Sequence, residues 1–225
     1  MDHSFLVAVL IHCNVTPLRY SGQAMPRPRE HDETTRQRLL DRAGVILDEE
    51  GLAGLSTRRL ALDVSTTTRA VYSLFGDKAG LLRALYRAGF ETLRGQTEAV
   101  PVTADPLVDI GALAAAYRDS ALRNRNLYSL MFDMVPGWRP QPEDQAFARS
   151  TLRPLAAAVA RAVDRGQLPD DVRGLTTELF ALVHGLASLE LAGLLGGAEE
   201  AAARWESAVA AALRGHRATT VGGGP

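Results

Sequence analysis

Between Ser56 and Lys78 the chain concentrates side chains suited to hydrogen bonding with a polyanion: Ser56, Thr57, Arg58, Thr67, Thr68, Arg69, Tyr72, Ser73 and Lys78. Hydroxyls, guanidinium groups and one ammonium at these spacings make no nucleophile paired with a base. They suit contacts to phosphate oxygens and to base edges in a groove of duplex DNA. Lys78 is the only lysine of the chain. It falls in the first turn of an expected helix, where a cation opposes the positive end of the helix dipole at a cost of about 0.3–1 kcal/mol. A phosphate beside it would turn that repulsion into attraction, and full solvation would relieve it equally well. Arg58 and Arg69, taken singly, also read as solvated or salt-bridged surface arginines; only their joint placement argues for a shared partner.

A second group, Tyr117, Tyr128, Met131, Phe132, Trp138, Phe147, Phe180 and His184, supplies aromatic and soft apolar surface around one polar ring. That composition suits a pocket for a small, mostly apolar molecule, with His184 orienting it; the same side chains equally suit plain core packing. Other chemistries lack their residues. A single cysteine, Cys13, allows neither an internal disulfide nor a cysteine-based metal site, which fits a reducing cytoplasm. His3, His12, His31 and His216 lack metal-ligand spacing, and no glycine-rich phosphate loop or nucleophile motif occurs. No cofactor and no metal are expected. An enzyme would need converging acids, bases and a nucleophile, of which the chain offers only His184 and scattered carboxylates.

The elements that must position these residues are helices. Apolar Leu39, Leu40, Ala43, Ile46 and Leu47 recur at three- and four-residue steps, which marks a helix from Thr34 to Gly51 with one buried face. Ser56, Thr67 and Asp77 then read as caps of three further helices, with a tight turn at Ser65 and Thr66 and a break at Gly76. Residues 55–74 therefore spell helix, sharp turn, helix, with Val71, Leu74 and Phe75 inward and Thr68, Arg69, Tyr72 and Ser73 outward. Beyond Pro101 and Pro106, helices are expected over 107–123, 127–134, 143–165 with a kink near Pro154, 171–195 and 198–214, with a loop at 135–142. No alternating runs rich in Val, Ile and Thr suggest strands.

The run Leu60-Ala61 followed by Val71-Tyr72-Ser73-Leu74-Phe75-Gly76-Asp77-Lys78-Ala79-Gly80-Leu81-Leu82 resembles the signature of TetR-family regulators, in which Ile-Ala is followed without insertion by Tyr, Phe and Lys-x-x-Leu. Residues 36–51 are similar to the family's first helix, so the likeness covers 34 to about 93. Carried over by position, it implies phosphate contacts from Thr57, Tyr72 and Lys78 and base contacts from Arg58, Thr68, Arg69 and Ser73. One departure stands out: the family places Gly in the turn where this chain has Ser65, which in a left-handed conformation costs roughly 1–2 kcal/mol. Further on, Val183-His184-Gly185-Leu186 and Leu189-Glu190-Leu191 resemble the WHG subgroup of the family's C-terminal domains, with Val183 in place of the Trp.

The resemblance implies an all-α fold of about nine helices. An N-terminal three-helix helix-turn-helix domain over 31–78 is expected to bind double-stranded operator DNA. A C-terminal helical domain over 79–217 is expected to bind a small-molecule effector and to form a homodimer through helices 171–195 and 198–214. Independently, the helix at 171–195 carries Leu175, Leu179, Phe180, Leu182, Leu186, Leu189 and Leu194 on several faces and must be buried on more than one side. Residues 1–30 and 218–225 are expected to be disordered, with 1–24 an extension and Met25 opening a Pro/Arg-rich arm. The apolar run 5–11 is too short to span a bilayer. The net charge of -1 gives no global signature of nucleic-acid binding. A helical scaffold without DNA binding explains the apolar C-terminal helices but leaves the polar ridge at 56–78 without a role.

Overall fold

The computed structural model describes residues 29–132, 135 and 137–216. The expectations for residues 1–24, for the arm opened by Met25 and for the tail from Ala218 lie outside the described residues. Helix α1 (Arg29–Gly54) buries Leu39, Leu40, Ala43, Ile46 and Leu47. Its helical geometry breaks at Gly51, where φ is 67°, and one further turn leads to Gly54.

Three short-range caps then set the next three helices. Ser56 Oγ accepts from the Arg59 N–H at 3.2 Å ahead of α2 (Thr57–Asp63). Thr67 Oγ1 accepts from Ala70 N–H at 3.1 Å ahead of α3 (Thr68–Phe75). Asp77 Oδ1 accepts from Gly80 N–H at 2.8 Å ahead of α4 (Lys78–Glu98). Each cap satisfies a backbone donor that the first helical turn leaves unpaired, which is worth about 1 kcal/mol.

The C-terminal part continues with α5 (Pro106–Arg123), capped by Asp105, and α6 (Arg125–Phe132). Four more helices follow: α7 (Pro142–Ser150), α8 (Arg153–Asp164), α9 (Val172–Leu191) and α10 (Ala198–Gly215). Ten helices and no strand occur among the described residues. Two sequence expectations need correction. The single kinked helix over 143–165 is two helices, because Pro154 has no N–H for the Ser150 carbonyl and its ring crowds that position. The chain instead turns at Thr151 and Leu152, where the Ser150 and Thr151 hydroxyls donate to the carbonyls of Phe147 and Ala148. The helix expected to reach 195 ends at Leu191, where Gly193 (φ 74°) donates to Glu190 O and Leu194 N–H to Leu189 O. That pair of bonds is a Schellman termination, which closes a helix before the hydrophobic pattern runs out.

Helix α4 joins two cores. Leu81, Leu82 and Leu85 pack with α1, α2 and α3 and with Leu130 of α6. One turn on, Tyr86, Phe90 and Leu93 pack with α5, α6, α9 and α10 around Tyr117, Tyr128 and Trp205. A third core holds Ile110 and Leu113 against Val159, Ala162, Leu175 and Leu179. Gly89 allows α6 to seat closely on α4, since a Cβ there would stand 2.5 Å from Met131 Sδ.

Candidate nucleic-acid interface and sensor region

The segment from Ser56 to Lys78 forms one polar ridge. On α3, Val71 and Phe75 are buried and Leu74 is half-buried, while Thr68, Arg69, Tyr72 and Ser73 are exposed on the other side. Tyr72 keeps 52% of its surface, a large value for a ring on a short helix. Thr67 is exposed, with its hydroxyl engaged as the α3 cap. Ser56 is exposed and engaged in the same way, Thr57 is half-buried at the start of α2, and Arg58 is exposed. Lys78 is exposed as the first residue of α4.

Ion pairing sorts the arginines of this region. Arg59 is bound through both terminal nitrogens to Glu50, and this hydrogen-bonded partner holds the Glu50 carboxyl below its ordinary range. Arg42 donates to Asp63 at 2.7 Å, and Arg38 donates to the Val64 carbonyl at 3.0 Å. The neighbouring carboxylates are thereby engaged. Among the described residues, Arg58, Arg69 and Lys78 have no ion-pair partner. The turn between α2 and α3 is a Schellman termination as well: Ser65 N–H donates to Leu62 O and Thr66 N–H to Ala61 O. Ser65 has φ 56° and is the one described non-glycine residue with positive φ.

In the C-terminal half, seven of the eight expected ligand residues pack into or against one core, and His184 lies among their rings. Tyr117, Tyr128, Phe132, Phe180 and His184 form one cluster. Tyr128 Oη lies 2.6 Å from His184 Nδ1, and Tyr117 Oη lies 3.2 Å from Tyr128 Oη and 3.3 Å from the same nitrogen. Phe132 and Phe180 pack on the imidazole at 4.5 and 5.8 Å between centroids. Burial pushes the Tyr117 phenol well above its ordinary pKa, so it stays protonated. Met131 instead packs on Gly89, Trp138 lies 5.6 Å from Tyr86, and Phe147 lies beneath the Arg87 and Arg94 guanidinium groups at 4.6 and 5.3 Å. A cavity of about 40 Å³ lies beside the cluster, between α4, α5, α9, α10 and the α7–α8 break. Tyr117 and Phe180 border it, together with Leu93, Thr97, Thr151 and Leu179; the other six expected residues do not.

Three carboxylate joints escaped the sequence reading. Asp144 of α7 is fully buried and takes hydrogen bonds from Arg83 at 2.7 Å and Arg87 at 2.9 Å, one turn apart on α4. Burial alone would raise its pKa, but the two guanidinium groups outweigh burial and lower it. Glu190 of α9 accepts from Arg118 of α5 at 2.6 and 2.8 Å and from the Trp205 indole of α10 at 2.7 Å, and the Arg118 bonds hold its pKa down. Asp109 of α5 is held by Thr103 and by Arg161 of α8, with its pKa likewise lowered. The readable signal for Asp144 was its spacing from Gln141, with which it forms a capping box.

Residues 110–212 match the family model of the tetracyclin repressor-like C-terminal domain. Among solved structures, a protein of unknown function from Rhodococcus sp. RHA1 is 29% identical, with a TM-score of 0.71, 81% of this chain covered and 95% of that one. The TetR-family transcriptional regulator PfmR from Thermus thermophilus is 20% identical, with a TM-score of 0.62 over 79% of this chain and 97% of that one. A TetR variant from Acinetobacter baumannii AYE, solved in complex with minocycline, is 19% identical, with a TM-score of 0.58 over 80% of this chain and 94% of that one. No curated protein matches the chain. Residues 110–212 of this chain are thus similar to the tetracyclin repressor-like C-terminal domain, and the chain shares the fold of TetR-family transcriptional regulators.

Proposed function

We propose that the protein is a ligand-responsive repressor that binds a palindromic operator as a homodimer and leaves it when a small, mostly apolar molecule occupies the C-terminal half. The reading is carried by the ridge from Ser56 to Lys78, whose Arg58, Arg69 and Lys78 face outward without carboxylate partners among the described residues, while Val71 and Phe75 seal the apolar side of α3. A helix is about 10–12 Å across with its side chains, which matches a major groove about 12 Å wide. In that pose Arg69, Thr68, Ser73 and Arg58 reach base edges. Thr57, Tyr72 and Lys78 hold phosphates, with the capped start of α2, at Ser56, and the Thr67 cap of α3 beside the backbone.

Dimerisation presents two such ridges roughly 34–36 Å apart, so that they meet successive major grooves. The outer faces of α9 and α10 suit a close helical contact between copies, with Thr177, Ala181, Ser188 and Ala192 exposed on one and Ala203, Ser207 and Ala211 on the other. No described helix is long and apolar enough to cross a membrane. A regulator of this kind acts in the cytoplasm, where the DNA is.

Selection of bound fragments from a random double-stranded DNA pool supplies the operator for a direct test. Arg69→Ala is expected to weaken operator binding by about 1–3 kcal/mol and to relax preference at one base position. Lys78→Ala is expected to weaken all sequences alike and to reduce the salt slope by about one. Both variants should keep the wild-type circular dichroism and dimer mass. Unchanged affinity in both would remove the ridge as the DNA contact, and a dimer that selects no DNA would favour a helical scaffold.

A further inference from the structure

We infer that the cavity beside Tyr117 takes an uncharged, hydrocarbon-like molecule and rejects carboxylates and amines of the same size. The inference names the effector class of the regulator proposed above and rests on that reading. Its basis is the wall. Leu93, Ile110, Leu113, Leu155, Leu179 and Val183 supply most of it, and among the described residues no Asp, Glu, Lys, Arg or His borders the space. Three hydroxyls are present, and none is free. Thr97 Oγ1 donates to the Leu93 and Arg94 carbonyls, and Thr151 Oγ1 donates to the Ala148 carbonyl. The Tyr117 hydroxyl is shared with Tyr128 and His184.

A ligand carboxylate would therefore meet no cation and no uncommitted donor, and a ligand ammonium would meet no carboxylate. Of the carboxylates on the adjoining helices none borders the space, and those withdrawn from solvent, Asp109, Asp144 and Glu190, are already engaged by Arg161, by Arg83 with Arg87, and by Arg118 with Trp205. An ion stripped of water without a partner is strongly disfavoured, so the wall selects against charge of either sign. Size points the same way. The space of about 40 Å³ is far smaller than the roughly 300–1,000 Å³ of an occupied small-molecule pocket. An occupant must part the helices, and walls of methyl groups separate without breaking a hydrogen bond. Water gains little there, because it needs two to four polar partners and finds only the spare lone pairs of hydroxyls whose protons are already committed.

The test compares 1-octanol, octanoate and octylammonium, matched in chain length, by calorimetric titration into the full-length protein without DNA. Octanol is expected to bind at least about 100-fold more tightly than either ion, a ratio set by the unpaired charge. Ala114→Leu, which fills the space from α5, should reduce octanol affinity at least about tenfold with the dimer and a cooperative melting transition retained, the overpacking lowering its midpoint. Leu152→Arg is the second variant: half-buried at the rim, it supplies a cation and should raise octanoate affinity above that of wild type. Octanoate or octylammonium binding as well as octanol would overturn the inference. So would octanol binding that neither variant changes, or no binding by any of the three up to their solubility limits. Operator binding is measured separately, so loss of this inference leaves the DNA reading standing, and loss of DNA binding with octanol selectivity intact would strike only that reading.

Discussion

Ser65 does a glycine's work at the joint between α2 and α3. Gly166 and Gly193 close α8 and α9 with the same two hydrogen bonds and with φ of 66° and 74°, whereas Ser65 does so at 56° against its Cβ. The left-handed conformation costs an L-residue roughly 1–2 kcal/mol, and glycine's freer unfolded chain returns about 0.5–1 of that. Ser65→Gly is therefore expected to stabilise the protein by about 0.5–1 kcal/mol, read as a higher urea midpoint at constant m-value. The strain was legible beforehand, as were the caps at Ser56, Thr67 and Asp77, because a cap or a turn is decided within four residues. The sensor aromatics were less legible. Tyr117, Phe180 and Phe147 have the same apolar character in sequence, and only packing decides that the first two border a void while Phe147 lies under two arginines.

Between elements, the C-terminal half is tied by arginine–carboxylate joints: α4 to α7 through Asp144, α5 to α8 through Asp109, and α5 to α9 and α10 through Glu190. Their partners lie 57, 52 and 72 residues apart, so no local pattern announces them. The helices themselves were readable from periodicity, apart from the break that Pro154 imposes and the early stop at Gly193. Asp144→Asn removes the charge from a fully buried site and leaves Arg83 and Arg87 unneutralised. The expected loss is about 1–3 kcal/mol, below the roughly 3–5 of an enclosed pair, because those arginines remain 44% and 38% exposed. A thermal melt monitored by circular dichroism measures it. Acid should act on all three joints together. Each carboxyl has its pKa lowered in the folded state. Their stabilisation is therefore fully present above the unfolded carboxylate range, near pH 4–5, and is lost as pH falls through the lower folded values. Urea midpoints at pH 7, 5 and 3 should hold between the first two and drop at the third.

For the whole molecule, the arrangement places the polar ridge and the small-residue faces of α9 and α10 in separate parts of the chain, so each can be disabled alone. Ala181→Arg puts a cation on the exposed face of α9 without touching a core. It should weaken self-association by at least about 100-fold, the scale of a charge left unpaired in an interface, and reduce operator affinity because a lone protomer engages only one half-site of the palindrome. Sedimentation velocity and operator titration on the same sample check both effects, and an intact dimer would move the interface elsewhere. The single lysine carries a practical corollary at this scale. Lys78 stands exposed at the foot of α4, beside the ridge, and no other side chain in the sequence offers a primary amine. Apart from the α-amino group of the chain, amine-selective dyes and crosslinkers thus attach to one side chain, at the edge of the surface proposed to meet DNA. A chemical handle for following occupancy of that surface is already present in the natural sequence.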